Sequence, residues 1–338
     1  VESGDAVKRI VVVTTGGTIA SRWRGTGYAA EAAGAEVLGA SAVPEGVRPE
    51  VVDLFTVNSA RLTSGHQLRL VRAVREALSD PSVDGVVVTH GTDTLEESAF
   101  LLDLYHDDPR PVVLTGAQLP LENPDSDAAG NLHDALLTAA GVRDLGVVTA
   151  FAGRIHAARG TVKTRTIGLD AFADPSGAPL GSVVSGLVEV ARRPSRGRPL
   201  ALPPTDVEPP RVDIVVHHPD ADPLLLRTAV DAGAAGLVLV GTGAGNATPE
   251  TREAVADAVS RGVLVALTTR VPSGPVTPIY TGGGAVDLIA AGAVPTGTLR
   301  AGQARIAVLA ALMSTADPEG RRSTLHRLVE PGAGAAAA

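Results

Sequence analysis

Along the first half of the chain, short unbroken apolar runs alternate with longer stretches in which apolar residues recur at helical spacing. The runs at 9–14, 51–57, 85–90, 111–115 and 146–151 are rich in Val and read as strands. Between them, 65–78, 95–106 and 129–140 carry the period of amphipathic helices. Strands without polar alternation are buried on both faces, so this order predicts a parallel sheet covered by helices on either side. The more polar stretch 154–163 reads as a hairpin leaving that sheet. After a basic, proline-rich stretch at 192–210 the rhythm restarts, with strands at 213–217, 236–240 and 263–268 and helices at 224–232 and 249–260. Two further helices, 302–313 and 318–328, follow. The expected architecture is α/β in two parts. A larger N-terminal domain with a parallel or mixed sheet spans 1–191, a linker 192–210, a smaller C-terminal α/β domain 211–330, and a disordered tail 331–338.

The length of 338 residues agrees with two domains. A chain that is 44% hydrophobic and 20% charged is globular. A formal charge of −8 with only 2% aromatic residues makes a poor nucleic-acid binder. No apolar run approaches the ~20 residues of a membrane span. The absence of cysteine removes disulfides, thiol nucleophiles and cysteine-ligated metals. The start, Val1 to Ala6, has no Met and no basic-then-apolar signal pattern. The compartment is left open by the sequence: cytoplasmic residence is slightly favoured, and a secreted form with its signal already removed fits the same sequence.

Of 29 basic residues only two are lysines, Lys8 and Lys163. The chain uses Arg wherever either would serve. A deprotonatable amine is the one thing Arg does not supply, so Lys163, lying mid-chain, stands out.

Several chemistries are absent from the motifs. Both lysines follow Val, so there is no Walker A loop, and neither Gly-x-Ser-x-Gly nor His-Glu-x-x-His occurs. His217 and His218 are adjacent on an expected strand and so face opposite sides, a poor metal pair. The glycine-rich run from Gly241 to Asn246 lacks the last glycine of a dinucleotide loop and reads as a tight turn. No cofactor and no metal are expected.

What remains lies at strand ends. The first strand ends in Thr14-Thr15-Gly16-Gly17-Thr18, and the third in His90-Gly91-Thr92-Asp93-Thr94. Thr94 and Glu97 have the spacing of a capping box for the following helix, which leaves Thr92 and Asp93 without a structural duty. Asn58-Ser59 follow the second strand and Gly116-Ala117-Gln118 the fourth. In a parallel sheet all four loops emerge on one edge, the edge at which α/β proteins bind ligands. Threonines, a carboxylate and a solitary lysine suit acyl transfer by a hydroxyl nucleophile with an amine base. The residues thus point to a hydrolase acting on a small polar carbonyl compound.

Thr15-Gly16-Gly17-Thr18-Ile19-Ala20 and His90-Gly91-Thr92-Asp93-Thr94 together resemble the two signature motifs of the bacterial-type L-asparaginases. The resemblance extends from about Val11 to about Leu328. It takes in Val162-Lys163-Thr164, Pro179-Leu180-Gly181, the turn ending in Asn246, and Arg270-Val271-Pro272-Ser273-Gly274. It implies a larger N-terminal α/β domain, a smaller flavodoxin-like C-terminal domain, and a homotetramer built from intimate dimers. It also implies hydrolysis of L-asparagine to L-aspartate and ammonia. Thr15 would form the acyl-enzyme, with Tyr28 on a glycine- and alanine-rich lid beside it. Thr92, Lys163 and Asp93 would form a second triad. Ser59 would contact the substrate carboxylate, Asp93 its ammonium, and Gly91 and Ala117 the side-chain amide. Asn246 would reach into the neighbouring subunit's site.

Two positions depart from the family pattern. Ala60 stands where a glutamine-like residue is common, and the segment from Ile279 to Ala285 offers no counterpart to a glutamate often supplied by the neighbouring C-terminal domain. Glutaminase activity is therefore expected to be weak or negligible. An ammonia-supplying amidotransferase subunit would need a partner-binding extension that is not visible. A non-enzymatic amino-acid binding protein would give no reason for two threonines and a rare lysine.

Overall fold

The structure, a computed structural model, describes residues 7–39 and 41–330; the tail at 331–338 lies outside the described residues. The chain forms two compact units, 1–194 and 195–338.

The first unit opens with β1 (Lys8–Thr14), a small antiparallel hairpin of β2 (Ser21–Trp23) and β3 (Tyr28–Ala30), α1 (Gly34–Gly39) and β4 (Val47–Asp53). It continues through α2 (Ser64–Ser79), β5 (Gly85–Thr89), α3 (Leu95–Tyr105), β6 (Val112–Thr115), α4 (Ala128–Gly141) and β7 (Val147–Phe151). Five short strands follow: β8 (Arg154–Ala157), β9 (Val162–Lys163), β10 (Phe172–Ala173), β11 (Gly181–Val184) and β12 (Leu187–Val190). One eight-stranded sheet has the order β12-β11-β8-β7-β6-β5-β1-β4. Its members from β7 to β4 are parallel, and β8, β11 and β12 extend it antiparallel. β5, β6 and β7 are buried at every position, as their unbroken apolar runs require. α4 lays Leu132 and Leu136 into a core with Val12, Val87, Val113 and Val148.

Two expectations are corrected. The second strand begins at Val47 and ends at Asp53, not at Val57. It is the sheet edge, with none of its residues buried, and the chain beyond it turns across the strand ends. There Leu54 and Val57 donate their N–H groups to the Thr14 and Thr15 carbonyls at 3.1 Å. The segment 154–163 does not leave the sheet as one hairpin. Ala152 and Gly153 adopt positive φ (49° and 72°), reversing the chain so that β8 pairs with β7. Only β9 departs, pairing with β10 as a separate ribbon in which Lys163 faces Phe172.

The second unit contains β13 (Val212–Val216), α5 (Leu224–Asp231), β14 (Gly236–Gly241), α6 (Pro249–Ser260), β15 (Leu264–Thr269), α7 (Ala285–Ala290), β16 (Val294–Pro295), α8 (Ala301–Ser314) and α9 (Pro318–Val329). Its four strands are all parallel and lie in chain order. Leu237, Leu239, Val255, Leu267 and Leu288 centre its core. Residues 191–211 carry no helix or strand. No described helix is long and apolar enough to cross a membrane.

Two of the three histidines buried in the first unit are His90, directly after β5, and His156, within β8. Burial pushes each imidazole down from 6.5 to about 4. Between those values the unfolded chain binds protons that the folded chain refuses, so both contributions to stability are lost as pH falls through that window. His156→Gln removes one of them. Urea midpoints are expected to show a smaller gap between wild type and His156→Gln at pH 5 than at pH 7; an unchanged gap would contradict the assignment.

Candidate active site

β1 leaves the sheet through Thr15-Gly16-Gly17. Thr15 is only 1% exposed, and both its N–H (3.1 Å) and its Oγ1 hydroxyl (2.9 Å) donate to the Thr89 carbonyl at the end of β5. Gly16 and Gly17 have φ of 94° and 88°, a region open to glycine. Space requires glycine there as well. A Cβ on Gly16 would lie 2.6 Å from the Val57 nitrogen, and one on Gly17 would overlap the Gly91 backbone. Gly91 in turn abuts Ser59, whose Oγ would lie 2.5 Å from an added Cβ, and Gly116 abuts the His90 carbonyl. Glycine contacts thus lock the exits of β1, β4, β5 and β6 together.

Ser59 opens a single 3-10 turn after β4 and is buried. Its Oγ accepts the Asp93 N–H at 3.3 Å, and its carbonyl accepts the Thr94 hydroxyl at 2.9 Å. The expected capping box of Thr94 with Glu97 therefore does not form: Thr94 precedes α3, but its hydroxyl is committed to Ser59. Asp93 likewise has a structural duty, through its backbone.

Lys163 arrives from the β9–β10 ribbon, which is seated by an edge-to-face contact of Phe172 with Phe151 at 5.0 Å. Its Nζ donates to Thr92 Oγ1 at 2.8 Å and to Asp93 Oδ1 at 3.0 Å. Thr92 is buried, whereas the Asp93 side chain is half exposed. The Lys163 backbone N–H donates to Glu96 Oε2 at 2.5 Å. Burial, reinforced by neighbouring Glu97, pushes the Glu96 carboxyl up to about 7. The His90 Nδ1 lies 2.8 Å from the Gly91 carbonyl and donates its proton there, while burial, which lowers the ring's pKa to about 4, keeps the imidazole neutral.

Ala117 is fully buried, and the loop around it is shaped by the Asp127 carboxylate. That carboxylate accepts the Gln118 and Leu119 N–H groups at 3.0 and 2.9 Å, while Asn131 donates its amide to the Gly116 carbonyl at 3.0 Å. Tyr28 sits on the β2–β3 hairpin, 53% exposed, edge-on to Trp23 at 5.1 Å. Among the described residues no hydrogen bond joins it to Thr15. With Thr56, Val57, Asn58, Arg61 and His66 it borders a cleft of about 570 Å³. Asn246 belongs to the second unit, where its Oδ1 accepts the Ala285 N–H at 3.4 Å at the start of α7. Among the described residues there is no group of three or more metal-ligating side chains.

Thr15, Ser59, Gly91, Thr92, Asp93 and Lys163 are thus gathered by the first unit at one sheet edge. Glu96, His90, Arg61 and His66 were not anticipated. Glu96 reads in sequence as an ordinary first-turn acid of a helix, and only its reach to Lys163 sets it apart.

Two hydroxyls, a carboxylate and an amine at the carboxyl edge of a parallel sheet equip a hydrolase. The family described as asparaginase, N-terminal, matches residues 9–196, and the glutaminase/asparaginase C-terminal domain matches residues 211–325. The chain belongs to the asparaginase family. It is 35% identical over 298 residues to an L-asparaginase of Bacillus licheniformis, covering 85% of this chain and 90% of that one. It is 32% identical over 328 residues to L-asparaginase 2 of Escherichia coli K12, covering 93% and 91%. The solved thermostable L-asparaginase of Thermococcus kodakarensis superposes with a TM-score of 0.84 at 31% identity, over 95% of this chain and 98% of that one.

The glycine lock has a measurable signature. Gly17 and Gly25 share a left-handed φ (88° and 86°), but nothing lies within 4 Å of a Cβ at Gly25. Gly25→Ala is expected to cost about 1 kcal/mol from conformation alone. Gly17→Ala adds a backbone overlap and is expected to cost about 3 kcal/mol or more. Chemical denaturation of both variants reads the difference.

Proposed function

We propose that this protein hydrolyses the side-chain amide of L-asparagine, giving L-aspartate and ammonia through an acyl-enzyme on Thr15, with much weaker action on L-glutamine. The observation that carries this reading is the Lys163 ammonium held between Thr92 Oγ1 and Asp93 Oδ1 at the same sheet edge as Thr15. Membership of the asparaginase family, with relatives named L-asparaginase, supports the substrate.

In the resting site the Thr15 hydroxyl proton rests on the Thr89 carbonyl. Attack needs that proton moved, and Tyr28 on its exposed hairpin is the group proposed to come down and take part. The Thr15 oxygen adds to the amide carbon, its proton passes by way of Tyr28 to the nitrogen, and the C–N bond breaks with departure of ammonia. Lys163 gives up its ammonium proton to solvent as substrate enters, then takes the Thr92 proton while Thr92 draws one from water; the relayed proton returns to Thr15 as the ester breaks. The resulting hydroxide attacks the ester, releasing aspartate and restoring Thr15. Asp93 balances the lysine's charge and binds the substrate ammonium. Ser59 takes the α-carboxylate, and the Gly91 and Ala117 backbone holds the amide. A homotetramer of intimate dimers, with Asn246 lent to the neighbouring subunit's site, completes the proposal. No cofactor or metal takes part in it.

Thr15→Ala tests the nucleophile. Turnover of L-asparagine, followed by ammonia release, is expected to fall about 10⁴-fold; a variant keeping a tenth of wild-type activity would refute the assignment.

Substrate range follows from the outer end of the pocket. Glutamine is one methylene longer, so placing its amide at Thr15 pushes its α-groups outward, where Ala60 offers no polar contact. Misalignment of this kind costs about 10²-fold. Steady-state kcat/KM on one preparation is expected to favour asparagine by that order, and values within a few-fold of each other would exclude it.

A further inference from the structure

The lysine at the centre of the site is carried by very little structure. β9 is two residues long, pairs with a two-residue partner, and lies outside the eight-stranded sheet. Two residue pairs, Lys163 with Phe172 and Val162 with Ala173, define its register. A register that short is weakly specified, and a lysine stem has four rotatable carbons. Yet the Nζ reaches Thr92 and Asp93 together. Something beyond the ribbon fixes the root of the side chain.

That anchor is Glu96. We propose that Glu96 is a positioning residue for amide hydrolysis, its carboxylate gripping the backbone N–H of Lys163 so that the ammonium lands between Thr92 and Asp93. The inference rests on the reading of Lys163 as a participant in the reaction.

Glu96 lies in the first turn of α3, four positions after Thr92 and three after Asp93. One rigid element therefore holds both ends of the lysine, its backbone through Glu96 and its ammonium through the residues just before the helix. Any shift of α3 moves both anchors together, and the Thr92–Lys163 distance is preserved. The bond is short, 2.5 Å, and joins an N–H to a half-buried carboxyl oxygen. Glu97 is the other acid of the turn, and Lys163 is the charged group facing Glu96 from β9.

The test compares Glu96→Ala, Glu96→Asp, Glu96→Gln, Lys163→Ala and the double variant Glu96→Ala/Lys163→Ala, with kcat and KM for L-asparagine measured on each full-length protein and folding checked by thermal melting. Glu96→Ala is expected to lose about 10²-fold in kcat, the cost of a misplaced catalytic group, with KM within about 3-fold of wild type. Glu96→Asp keeps the charge but is one methylene too short, and is expected to lose a similar factor while melting as a folded protein. Glu96→Gln presents an amide oxygen at the same reach and is expected to restore kcat to within a few-fold of wild type. In the double variant the Glu96 change is expected to add nothing to the loss from Lys163→Ala.

Wild-type kcat in a folded Glu96→Asp, no recovery in a folded Glu96→Gln, or multiplying losses in the double variant would each overturn the positioning role. An active Lys163→Ala would instead overturn the reading of Lys163 itself. The two failures are therefore distinguishable.

Discussion

The closest dependence in the first unit is the contact of two backbones, Gly17 against Gly91, where no side chain on either strand exit leaves room for the other. Sheet register places Thr14 opposite Thr89, so the exits of β1 and β5 begin at one level. The glycines then allow them to close on each other. Thr15 is left with its N–H and hydroxyl on a single carbonyl, and Thr92 follows one residue after the contact. Ser59 is pressed on the other side of Gly91 and ties Asp93 and Thr94 to the end of β4. Four chain segments remote in sequence are thereby held to ångström tolerance without a metal-ligand cluster among the described residues.

The electrostatics follow from where water is excluded. Thr15, Thr92 and His90 are buried, while the Asp93 side chain is half in solvent. A carboxylate in that position is open to a cationic group entering from outside, and it also pairs with the lysine behind it. His90 contributes no charge: burial keeps it neutral, and its ring pins the Gly91 carbonyl, stiffening the peptide between the glycine contact and Thr92. The hairpin bearing Tyr28 is held differently. Its root is tied by the Ser21 hydroxyl to the Gly17 carbonyl at 2.9 Å and by the Gly34 N–H to Asp53 at 2.9 Å, while Trp23 and Tyr28 meet water. The hairpin is thus anchored at its root and exposed at its tip.

Most of the sheet was legible because buried parallel strands write themselves as unbroken Val runs; β5, β6 and β7 needed nothing else. β4 was misplaced because an edge strand follows alternation, and the Val pair at 51–52 drew attention to its end. The loops at Thr15, Ser59 and Thr92 could be assembled from topology alone, since parallel strands deliver their exits to one edge. Lys163 was visible through its rarity. Its neighbour Glu96 was hidden because an acid in the first turn of a helix already has an ordinary explanation, and a bond to a backbone N–H some 67 positions away leaves no mark on composition or period. The Thr94–Glu97 pattern misled for the converse reason: a local motif lost to a long-range partner, the Ser59 carbonyl.

The scarcity of lysine makes the site spectroscopically addressable. Lys8, on β1, has a side chain 41% exposed and pairs with Asp84, whereas the Lys163 side chain is 19% exposed and its Nζ lies between Thr92 and Asp93. A sample grown on isotope-labelled lysine would therefore carry only two side-chain ammonium signals, one from the surface and one from the site. Slow solvent exchange would distinguish the second. That single amine could then be followed through substrate addition in the unmodified protein, with no engineered probe.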